Sequence, residues 1–84
     1  MNVVIKITPD NYRTLRDHIS TDSPAHDAVE TATRIEHAVE GVLFAGYNIV
    51  CSEAQARTIL ETARRYCPAA VFEIEKALNA PRQP

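Results

Sequence analysis

Two histidines and a carboxylate held close together could bind a divalent metal. His26, Glu30 and His37, with Thr33 between them, come nearest to that pattern here. Read as parts of one helix, the four project within about 60° of one another beside an apolar face. Along such a helix residues 26 and 37 stand about 16 Å apart, so a single ion cannot touch both. A solvated face in which Glu30 pairs with His26 and Arg34 accounts for them better. No metal and no other cofactor is expected.

Thiol chemistry has a similar shortfall. Cys51 stands where a helix should begin, and the helix dipole there would lower a thiol pKa. His18, His26 or His37 could act as its base, but nothing in the spacing brings one to it. Cys67 precedes Pro68 and closes an apolar stripe, the setting of a buried structural thiol. The two glycines are isolated, so no phosphate-cradling loop is present. Enzyme activity is therefore not expected, and a small thiol-dependent enzyme ranks third among the functional readings.

The remaining charged cluster is the row Arg57, Arg64 and Arg65, which could contact phosphates. Glu61 sits among them, in the favourable order with Arg65 for a helical ion pair. Arg13 and Arg16 add positive charge that Asp10 and Asp17 offset. No aromatic side chains alternate with these arginines to stack on bases. The net charge of the chain is −2 and its pI about 5.8, the wrong sign for a partner that demands a clustered positive field. A nucleic-acid-associated regulator is the alternative reading, and nucleic acid is not the expected partner.

These residues have to be positioned by elements, and the clearest is a helix read from Ser52 to Cys67. Ser52 is a helix N-cap with Gln55 three residues on, the S-x-x-Q capping box. Ala56, Ile59, Leu60, Ala63, Tyr66 and Cys67 then fall within an arc of roughly 120°. Through that helix the two cysteines are about 24 Å apart, too far for a disulfide, and both are expected free. Pro68 opens a last helix to about Leu78, after which Asn79–Pro84 reads as a disordered tail. Upstream, Val3–Ile7 alternates as a strand, and Thr8-Pro9-Asp10 starts a helix reaching about Ile19 with Tyr12, Leu15 and Ile19 inward.

Ser23-Pro24 repeats the start signal, and the spacing of Ala25, Ala28, Val29, Ala32, Ile35 and Val39 predicts a second helix as far as Val39 or Glu40, closed by Gly41. Val42–Ala45 and Ile49–Cys51 are expected to form a hairpin about Gly46-Tyr47-Asn48. The order is thus β-α-α-β-β-α-α. It describes a small single α+β domain over residues 1–78, with a two- or three-stranded antiparallel sheet covered by helices.

A chain of 84 residues buries only about 60% of the surface it exposes unfolded, so a partner or a second copy would add to a thin stability margin. The run Val3–Ile7 is too short for a secretory signal and lacks a basic leader, and no apolar run approaches a membrane span. No membrane contact is expected, and the location is expected to be cytoplasmic. With chemistry unsupported, the leading expectation is a non-enzymatic protein-binding module: a small regulator, adaptor or inhibitor acting on another protein, with homodimerisation open. Three residues mark its surface. Phe72 lies about 100° off the stripe of its own helix. Glu36 intrudes into the apolar arc of the second helix, and Tyr47 sits at the expected hairpin tip.

Overall fold

The computed structural model describes residues 2–80, apart from the side chains of His37, Val39 and Phe44. Its elements run β1 (Asn2–Ile7), α1 (Pro9–His18), α2 (His26–Glu30), β2 (Thr33–Val39), β3 (Val42–Ser52), α3 (Glu53–Tyr66) and α4 (Pro68–Leu78). The α+β class and the order of strands and helices are those expected. Residues 81–84, most of the expected tail, lie outside the described residues, whereas Asn79 and Ala80 still wrap onto α4 by bonds to the carbonyls of Glu75 and Ala77.

The second helix is the main correction. It ends at Glu30, and residues 33–39 form a strand instead. Ile35 and Val39 fit a helical stripe, but they also fit alternation, and the β-branched Thr31, Thr33 and Ile35 favour the extended form. Gly41 is accordingly no helix cap. Glu40 and Gly41 have φ of 51° and 81°, both left-handed, which makes them the two central residues of a type I′ hairpin turn between Val39 and Val42.

The second correction follows from the first. Gly46-Tyr47-Asn48 is not a loop but the middle of one long strand, so the expected hairpin tip at Tyr47 does not exist. The sheet is antiparallel and three-stranded, in the order β1-β3-β2. β1 pairs with Tyr47–Ser52, the second half of β3, while β2 pairs with Val42–Asn48. The β2–β3 hairpin therefore runs past the end of β1 as a two-stranded arm. Gly46 sits where the halves meet: a Cβ there would lie 2.8 Å from the Ile7 carbonyl oxygen. Only glycine lets the β1 backbone come that close.

The core lies on one face of the sheet. Val3, Ile5, Ile7, Ile49 and Cys51 are buried there against Tyr12, Leu15, Val29, Ile59, Leu60 and Ile74 of the helices. The capping box of α3 is complete: Ser52 Oγ accepts from the Gln55 N–H at 3.1 Å, and Gln55 Oε1 accepts from the Ser52 N–H at 2.9 Å. Tyr66 falls outside the buried set, half exposed and stacked on His18 at 4.3 Å. Tyr12 donates its hydroxyl to the Val29 carbonyl at 2.6 Å and so ties α2 to α1. Both cysteines are free and buried. Among the described residues, no helix is long and apolar enough to cross a membrane.

Candidate interaction surface

Strand alternation sends every second residue of the sheet away from the helices. In β1 the burial pattern alternates strictly, so Val4 and Lys6 point to the open side while Val3, Ile5 and Ile7 enter the core. Val50 and Val42 of β3 share that open side. Their exposures are 43% for Val4, 51% for Val50 and 56% for Val42, with half-buried Ile35 of β2 nearby. α4 lies alongside β1, and Phe72, 74% exposed, meets this face next to Val4. The two line a depression of about 510 Å³ rimmed by Lys6 and Lys76. The placement of Phe72 off its helix stripe thus coincides with an uncovered apolar surface.

A second hollow, about 220 Å³, opens where β1 ends, between Lys6, Ile35, Gly46 and Asn48. The Asn48 Oδ1 is buried with no donor among the described residues. Leaving such an acceptor unmet costs about 1–3 kcal/mol, which an N–H from a docked molecule or a water would remove. Glu73 forms one wall of both hollows and has a structural task. Thr8 caps α1 with its backbone only, and Glu73 Oε2 accepts the Thr8 N–H at 3.1 Å while Oε1 accepts from Asn11 Nδ2 at 2.7 Å. Asn11 Oδ1 in turn accepts from the Cys67 thiol at 3.6 Å. The side chain that caps α1 is thus supplied by α4, 65 residues away in sequence.

The other expected site residues are dispersed. Tyr47 is packed inward, stacked on Tyr12 with ring centres 4.0 Å apart, and is no exposed anchor. Glu36 belongs to β2 rather than to a helix and pairs with Arg34 at 2.6 Å, two residues away on the same strand face. In the arginine row, Arg57 pairs with Glu53 at 3.0 Å, and Arg64 with Glu61 at 3.1 Å and Glu75 at 3.9 Å. These two guanidiniums already face carboxylates.

His26 and Glu30 lie in α2 and residues 33 and 37 in β2, so the four share no helix face. Among the described residues, no group of three His, Cys, Asp or Glu side chains is placed to hold a metal ion. Burial pushes the Cys51 thiol above its ordinary pKa, opposite to the lowering anticipated from its place before α3. What sequence reasoning missed was the open face itself. Val4, Val42 and Val50 read simply as strand residues until the register sets them on one side of the sheet, where they stay exposed among the described residues. In comparison with known proteins, no family model matches the chain, and neither a curated protein nor a solved structure does.

Proposed function

We propose that this protein is a non-enzymatic protein-binding module, a small regulator, adaptor or inhibitor, that docks another protein on the open face of its sheet. The observation that carries this reading is the continuity of exposed Phe72 with Val4 and its cross-strand neighbour Val50, on a face that none of the described helices covers. Burying Phe72 against a partner would contribute roughly 1.5–3 kcal/mol, and in water that term is lost. Lys6 and Lys76 on the rim favour a partner segment whose apolar side chains are flanked by carboxylates. The two buried free thiols suit a reducing compartment and hence the cytoplasm.

The phosphate-binding alternative is weakened by the ion pairs of Arg57 and Arg64, and thiol catalysis by the raised Cys51 pKa. Affinity capture from the source lysate, after nuclease treatment, separates the readings. Wild type should retain a protein that Phe72→Ala loses, with the melting temperature of the variant unchanged. An Arg57→Ala/Arg64→Ala/Arg65→Ala variant should retain it. If Phe72→Ala captures the same protein as wild type, or if nuclease strips the captured material, the open face is not the docking surface. If Phe72→Ala unfolds, the ring belongs to the core.

A further inference from the structure

The open face ends at an edge, and that edge is suited to a different partner. β2 is the outer strand of the sheet, packed on β3 and on no other element to any comparable extent. The edge of β1, by contrast, has α4 alongside it. In a hairpin with a two-residue turn, the residues flanking the turn form a hydrogen-bonded pair and the pattern alternates from there. Val39↔Val42 and Ile35↔Gly46 are such pairs, so the backbone N–H and C=O groups of Arg34, Glu36 and Ala38 point outward from the sheet. Edges are blunted by proline, by bulges and by charged side chains. Thr33–Val39 has no proline and pairs with β3 without a bulge. Its Arg34 and Glu36 are of opposite sign, so they repel only a strand that sets like charge against like.

We infer that β2 pairs antiparallel with β2 of a second copy about a two-fold axis at Ile35, joining the two sheets into one of six strands. The charges select both partner and register. With the axis at Ile35, Arg34 lies opposite Glu36 of the other copy and Glu36 opposite its Arg34, each an outward-pointing residue able to exchange backbone bonds. The Arg34–Glu36 pair within one strand then becomes half of an alternating four-charge cluster. Moving the axis to residue 36 sets Glu36 against Glu36, and a parallel in-register pairing sets each charge against its like. Ile35 meets Ile35 on the open side, beside the apolar surface already described. This surface is the edge and not the face, so the inference does not depend on the docking proposed above.

Sedimentation of the full chain at rising concentration should show a monomer–dimer equilibrium. Arg34→Glu or Glu36→Arg alone replaces two unlike facing pairs with two like ones and should weaken the dimer roughly tenfold or more. Mixing the two variants should restore association as a heterodimer, because all facing pairs are again unlike. Ile35→Cys fixes the register: facing residues of a non-hydrogen-bonded pair have Cα atoms about 4.5 Å apart, within disulfide range, so mild oxidation should link two chains. Glu36→Cys should link poorly. A wild-type chain monomeric throughout, single charge variants that dimerise as well as wild type, a mixture that does not rescue them, or linking at residue 36 in preference to 35 would each overturn the pairing. Phe72→Ala should dimerise as wild type does; a dimer lost in that variant would assign the contact to the open face and overturn the edge pairing as well.

Discussion

Glu73 shows how much a single side chain can hold when a helix does not cap itself. Thr8 has the right residue type for an N-cap, yet its side chain makes no capping bond, and the carboxylate from α4 serves instead. Glu73→Ala would leave the Thr8 N–H and Asn11 without their acceptor and should destabilise by about 1–2 kcal/mol, read by urea denaturation. A loss near zero would mean that water replaces the carboxylate. The buried Cys51 thiol has a pKa raised from an ordinary 9.0, and buried Tyr12 one raised from 10.0. In both, the folded state holds its proton to higher pH than the unfolded chain does. Their stabilisation is therefore complete below the unfolded values and is lost as pH climbs through the folded ones. Stability should begin to fall above about pH 9, and in Cys51→Ala the fall should begin only near pH 10, with Tyr12. The check is a series of denaturation midpoints across alkaline pH.

At the scale of elements, what could be read from the sequence was whatever local chemistry settles alone. The Ser52–Gln55 box, the proline starts of α1 and α4, and the strand Val3–Ile7 are each decided by neighbours in sequence. Residues 33–39 are not, because Ile35 and Val39 satisfy both periodicities and only pairing with β3 selects one. Gly41 was equally ambiguous, since helix caps and I′ turns both need a left-handed residue. The residue that separates them is Glu40, whose positive φ is rare for its type. The same gap explains the site: Phe72 stands out from sequence alone, whereas the face it adjoins exists only once the register is known. Glu40→Asn puts the preferred Asn-Gly pair into the turn and should raise stability by roughly 0.5–1 kcal/mol, seen as a higher melting temperature. No gain would place the turn outside the I′ class.

Over the whole molecule, β3 is the one strand on which everything else registers, and its two halves mature on different clocks. Its pairing with β2 closes across a two-residue turn, whereas β1 must wait for Tyr47–Ser52 to be made. At translation rates of about 5–20 residues per second, β1 spends on the order of seconds as an unpaired Val-Val-Ile-Lys-Ile segment. Such a stretch is a nucleus for aggregation, and Lys6 is the one charge that interrupts it. Lys6 is exposed, so the native state gains little from its identity. Lys6→Val should leave the melting temperature of the soluble protein nearly unchanged while lowering the yield on rapid dilution from urea, with turbidity as the readout. Equal yields would mean that β1 pairs with Tyr47–Ser52 faster than it meets another chain. The long β1–β3 separation would then delay folding without exposing the chain to its neighbours.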